Sequence, residues 1–164
     1  MNPIRVISLC LMTLLINGCA SQPPLPLQNV NQTLTPRSVL DMAQFPANQS
    51  VLWGGMVIAS SNHRDLTQLE ILAYPLRPNG YPQSDKDPVG RFLAQYPGYL
   101  ELANLPAGQM LWVKGRLVSA LSGRVGESSY QYPLIEITQW HHWKLHPEQT
   151  EPRFHFGLGF IFGD

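Results

Sequence analysis

Charge is scarce in this chain. Asp, Glu, Lys and Arg together make 13% of the 164 residues, about half of the ~25% usual for a soluble domain. Eleven basic residues face eleven acidic ones, so no positive excess exists to attract a phosphate backbone, and nucleic acid is not expected as a partner. Cysteine is nearly absent, with Cys10 and Cys19 the two in the sequence. No apolar run reaches the ~20 residues that a membrane-spanning helix needs. The sequence also has no Gly-x-Ser-x-Gly elbow, no phosphate loop and no paired-carboxylate pattern. No catalytic residue and no cofactor is therefore expected, and the chain does not read as an enzyme. Proline and glycine, by contrast, are plentiful at 15 and 13 residues beside a 44% hydrophobic content. That balance suits many turns between short strands.

The most specific local signal lies at the start. Arg5 and the amino terminus provide a positive region, Ile4 to Ile16 an apolar stretch, and Gly18 a small residue directly before Cys19. This is the arrangement of a secretory signal, and a cysteine immediately after the cut marks the lipoprotein variety. Residues 1–18 are read as the signal peptide and Cys19 as the lipid anchor, its thiol taking a diacylglyceryl group and its freed amine a third acyl chain such as palmitate. Two or more chains give stable anchoring, each buried CH₂ contributing about 0.8 kcal/mol. Ala20 after the anchor, where Asp would retain the protein at the inner membrane, points to the outer membrane. With Cys10 removed and Cys19 acylated, no thiol is left to form a disulfide. The expected partners are outer-membrane lipid, through Cys19, and the machinery that processes and sorts lipoproteins. An envelope protein partner cannot be named from the sequence.

Residues 19–33 carry no formal charge and several prolines, and read as a tether that would hold the domain up to about 40 Å from the lipid. A β domain is expected over 34–147. Thr35 as N-cap and Pro36 at the first helical position predict one short helix reaching Ala43. Beyond it the apolar period becomes two. Strands are predicted over Val51–Ser60, with a bulge or sharp bend at Gly54–Gly55, and over Thr67–Tyr74, Gly90–Gln95, Gln109–Ala120 and Ser129–Trp140. Asn62–Asp65 reads as a hairpin loop, Pro75–Pro88 as a long excursion and Leu121–Ser128 as a turn region. Five such strands predict an all-β fold, a small OB-like barrel with a short N-terminal helix. Leu69, Ile71, Leu111, Val113, Leu117 and Leu134 are the expected interior. Residues 148–164 form an apolar tail rich in Gly and aromatics, expected to pack on the barrel or to touch the membrane surface.

Several motifs occur together in one order: Trp53-Gly54-Gly55, Thr67-x-Leu69-Glu70-Ile71 with Tyr74-Pro75-Leu76, Gly90-Arg91-Phe92-Leu93-Ala94, Gly98-Tyr99-Leu100, Val113-Lys114-Gly115, and Gly123-Arg124-Val125-Gly126-Glu127 followed by Tyr130-x-Tyr132-Pro133. In these the chain resembles the Slp family of outer-membrane lipoproteins, named for starvation-inducible members. The family often has Asp-Pro where this chain has Glu101-Leu102. The resemblance implies an acylated, periplasm-facing protein with a structural or interaction role in the envelope and a link to stress or starvation. It supplies no catalytic residue.

The remaining candidates are set against plainer readings. His141, His142 and His146, with Glu148 and His155 nearby, include a pair at a spacing that binds zinc on a helix. No helical pattern surrounds them, however, and adjacent strand residues point to opposite faces, so no metal site is assigned. Glu70 and Glu136 could pair with Arg91 or Arg116, leave one buried acid, or simply face solvent. Trp53, Trp112, Trp140 and Trp143 suit core or interface better than a ligand platform. The alternative to an envelope interaction role is a module binding a glycan, lipid or small ligand on an OB-like barrel.

Overall fold

The computed structural model describes residues 25–143. Alternating apolar residues fold as five strands: β1 Ser50–Asn62, β2 Leu66–Tyr74, β3 Gly90–Pro97, β4 Met110–Val125 and β5 Ser128–His142. They close into a barrel in the order β1-β2-β3-β5-β4, with β4 returning to β1. All pairings are antiparallel except β3 with β5, which run parallel over Leu93–Gln95 against Leu134–Glu136. This is the OB-like barrel expected from the sequence. The alternation is cleanest in β2, where Thr67, Leu69, Ile71 and Ala73 are buried and the residues between them are not. Leu69, Ile71, Leu111, Val113 and Leu117 all fill the interior, as expected. In β5 Leu134 is buried too, beside Ile135 and Ile137, which belong to the central cluster. Glu136, between Ile135 and Ile137, lies on the solvent side and pairs there with Arg116 at 2.9 Å.

Both ends of the barrel are closed by short elements. Helix α1, Pro36–Leu40, buries Val39 in the core, and Arg37 N donates to Val89 O at 3.1 Å. Its N-terminus is a reciprocal cap: Thr35 Oγ1 accepts from Ser38 N at 3.1 Å while Thr35 N donates to Ser38 Oγ at 2.8 Å. The helix ends at Leu40 instead of Ala43, because Met42, Ala43 and Gln44 are exposed and offer the core nothing for a second turn. At the other end, a 3-10 turn at Leu102–Asn104 lies between the buried Leu100 and Leu105. Glu101 caps it by accepting from Ala103 N at 3.3 Å, a task open to Asp or Glu alike.

Two further expectations are corrected. Residues 121–125 and 128 are strand, not turn, because Leu121 pairs with Tyr132 and Gly123 with Tyr130, leaving Gly126 and Glu127 as the tip. The register shift in β1 falls between Val57 and Ala59, not at Gly54–Gly55. The glycine pair serves close approach instead. A Cβ on Gly55 would lie 2.9 Å from Ala73 Cα and still nearer Leu72 O, and one on Gly54 would lie 2.8 Å from Leu111 O.

Candidate functional site

Two irregular segments are laid on the outer wall of the barrel. The first, residues 25–34, is a strap over β1 and β4, and includes residues 25–33 that the sequence assigns to the tether. Lys114 Nζ donates to Gln28 O at 2.9 Å, Asn31 N to Ser50 O at 2.8 Å, and Trp53 Nε1 to Leu34 O at 2.7 Å. The second is a flap at the start of the Pro75–Pro88 excursion. Gly80 N donates to Arg77 O at 2.7 Å around Pro78-Asn79, a turn with Pro at its second position and Gly at its fourth. Arg77 N to Tyr81 O and Gln83 N to Pro75 O, both 2.9 Å, make it a small hairpin. It lies flat because glycines leave room beneath and beside it. A Cβ on Gly54 would meet Leu76 Cδ2 at 2.6 Å, and one on Gly80 would meet Trp112 Cδ1 at 2.9 Å. The ring of Tyr81 then packs edge-on against Trp143 at 5.0 Å.

Between strap and flap lies a cleft of about 600 Å³. Its strap side is Leu25, Leu27, Val30 and Leu34, its flap side Tyr74, Pro75, Leu76 and Pro78, and its floor Leu52 and Trp53. Arg77 is the one residue with a formal charge among the described lining residues. Its contact to Asp85 is long, 3.9 Å, and both side chains are more than half exposed, so this pair neutralises little. The site is therefore a mostly apolar trough, with Gln32, Thr35 and Tyr74 as its uncharged polar side chains and one guanidinium, suited to binding.

A second polar constellation spans the parallel seam. Arg91 Nη1 meets Glu70 Oε1 at 2.7 Å, Tyr132 OH donates to Glu70 Oε1 at 3.3 Å or to Arg124 O at 3.1 Å, and Tyr130 OH accepts from Arg91 N at 3.1 Å. Burial, then the Glu70 carboxylate, raise the Tyr132 phenol above its ordinary value of 10.0. These groups satisfy one another and tie the β4–β5 hairpin across β2 and β3. They are read as a clasp, not as a catalytic centre.

The histidines separate as their strand position requires. His141 stacks on Trp112 at 6.0 Å and meets Trp143 edge-on at 4.9 Å, while His142 stacks on Trp140 at 5.5 Å. No group of three possible metal ligands occurs among the described residues. Of the tryptophans, Trp53 is core, Trp140 packs against the core and Trp112 lies beside the flap. Both glutamates take the arginine partners considered from the sequence. Cys19, His146, Glu148, His155 and the 148–164 tail lie outside the described residues. The cleft is what sequence reading missed. Its only signals were the leucines interleaved with Pro26 and the length of the proline-rich excursion, neither of which shows a shared pocket.

Fold and site together define a small closed β-barrel with an apolar cleft on its wall. The chain belongs to the outer membrane lipoprotein Slp family, whose description matches residues 16–159. It is similar to the uncharacterized lipoprotein YeaY of Escherichia coli, 27% identical over 175 residues that take in 99% of this chain and 87% of the relative. An uncharacterized protein of Haemophilus influenzae is 24% identical over 98 residues, 59% of this chain and 53% of that one. Among solved structures, the crystal structure of the mitochondrial single-stranded DNA binding protein Rim1 from S. cerevisiae superposes with a TM-score of 0.39 and 12% identity, covering 59% of this chain and 96% of that one. A likeness that low carries no argument about ligand.

Proposed function

We propose that acyl groups on Cys19 hold this lipoprotein at the outer membrane and that its barrel faces the periplasm as an interaction module of the envelope. The observation that carries this is the strap. Cys19 follows the signal-like stretch, and nine residues later, at Gln28, the chain is already fastened to the barrel wall by the first of three hydrogen-bonded points. A fixed strap beside an anchor makes a module held close to its membrane, a reading that needs no chemistry. A role in stress or starvation is part of the same proposal. Metabolic labelling with a clickable fatty acid tests the anchor: the wild-type chain incorporates label and Cys19→Ala does not, and equal labelling of both overturns it. Protease added to intact cells and then to cells with a permeabilised outer membrane tests the face. Digestion only after permeabilisation is expected, and digestion of intact cells contradicts it. Growth-phase immunoblots test the third part, a constant level in fed and starved cells removing it. The cleft favours a second reading, a module that binds an apolar ligand.

A further inference from the structure

We propose that the cleft between strap and flap receives an acyl chain of a phospholipid from the membrane that bears the protein, with the lipid's anionic headgroup at Arg77. This rests on the anchored reading above and names the ligand class for its second arm.

Three observations select that occupant. The lining is mostly apolar, with Gln32, Thr35 and Tyr74 its uncharged polar side chains; Leu27 is 40% exposed, and the guanidinium of Arg77, more than half exposed, has only a distant carboxylate. A mostly apolar trough with one cation matches a molecule with a hydrocarbon chain and a phosphate, whereas the many hydroxyls of a glycan would outnumber the few polar side chains there. Second, covalent geometry keeps the site near the anchor. Residues 20–24 are all that separate Cys19 from Leu25, and six Cα–Cα steps reach at most about 20 Å even when fully extended. Leu25 itself lines the cleft, so this part of the cleft lies within that distance of the acylated residue. Third, the described chain leaves the barrel at the same place at both ends. Leu25 reaches Gly80 and Trp143 packs on Tyr81, residues adjacent in the flap. Past Trp143 the sequence continues to Phe154-His155-Phe156-Gly157-Leu158-Gly159-Phe160-Ile161-Phe162, an apolar run. An anchor and an apolar tail departing beside one flap direct that side of the molecule to lipid.

The test uses the full acylated chain reconstituted in vesicles of phosphatidylethanolamine and phosphatidylglycerol, a fraction of the latter carrying a diazirine near the end of one chain. After irradiation, adducts are mapped by peptide mass spectrometry. The expected result is labelling concentrated on residues 25–34 and 74–78. Leu27→Trp, at a position exposed enough to spare folding, should reduce that labelling to the level of the β4–β5 hairpin. Arg77→Ala should reduce labelling by the anionic probe about fivefold and leave a diacylglycerol probe of equal chain length, which has no phosphate, unaffected. Labelling spread evenly over the barrel overturns the proposal. So does cleft labelling seen only from a diazirine fatty acid incorporated at Cys19, which makes the anchor's own chain the occupant, or only from free diazirine fatty acid. Wild-type chain that is acylated and vesicle-bound but unlabelled in the cleft overturns the cleft and spares the anchor. Wild-type chain that is not acylated yet labels in the cleft spares the cleft and removes the anchor.

Discussion

Thr67 is a fully buried hydroxyl at one end of the barrel. Its Oγ1 accepts from Leu100 N at 2.9 Å and has Asn62 Oδ1 at 2.5 Å and Gly98 O at 3.0 Å as acceptors for its single proton. Thr67→Val keeps the shape and removes every one of these contacts, leaving a buried amide unpaired, so a loss of about 1–3 kcal/mol is expected in urea unfolding. Gly55→Ala should lose a similar amount, about 1–3 kcal/mol, since its added Cβ faces backbone atoms of β2 that cannot move aside without parting the strands. A melting temperature unchanged from wild type would show that the close approach is relaxed in solution. Tyr132 gives a pH signature. Its phenol is raised in the folded state, so the folded chain holds the proton more tightly than the unfolded one. The stability it contributes is complete below pH 10 and is lost as pH rises beyond, through the folded value. Tyr132→Phe should be less stable at neutral pH by about 1 kcal/mol, through the lost hydrogen bonds, and should decline less steeply above pH 10 than wild type. At this scale much was legible. Leu69, Ile71, Leu111, Val113 and Leu117 declare their side by alternation, whereas Leu134 beside Ile135 does not, because two adjacent apolar residues, both buried in the fold, carry no parity.

The elements divide by whether they own a period. β2 alternates without fault and was readable to within a residue, and α1 announced its start through Thr35 and Pro36 but not its end, which depends on where the core stops. Strap and flap have no period at all. What seats them is the absence of side chains at Gly54 and Gly80 and the placing of Trp112 and Trp143, relations between distant positions that no local pattern states. The flap's seating is therefore a sensitive point. Gly80 has φ +85° and a Cβ there would press on Trp112. Gly80→Ala is expected to lift the flap while leaving the barrel closed, seen as faster tryptic cleavage after Lys86 with far-UV circular dichroism unchanged. Cleavage at the wild-type rate would show that the hairpin is held by Leu76 and Tyr81 without help from this glycine.

For the molecule as a whole, closure is uneven. The parallel seam has three register pairs, Leu93–Gln95 with Leu134–Glu136, against fourteen between β4 and β5. The Glu70–Arg91–Tyr130–Tyr132 clasp compensates where the seam lacks rungs. The five-stranded barrel followed from counting strands, but this compensation did not, since it joins side chains from three strands. The strap has a mechanical consequence. A pull on the chain at Leu25 does not load the barrel strands together; it meets the Gln28, Asn31 and Leu34 attachments one after another, as a peel rather than a shear. Each attachment parts at low force before the next is stressed. Freeing residues 25–34 releases about 30 Å of slack and removes one wall of the cleft, so tension between envelope layers would empty the pocket before it strained the fold.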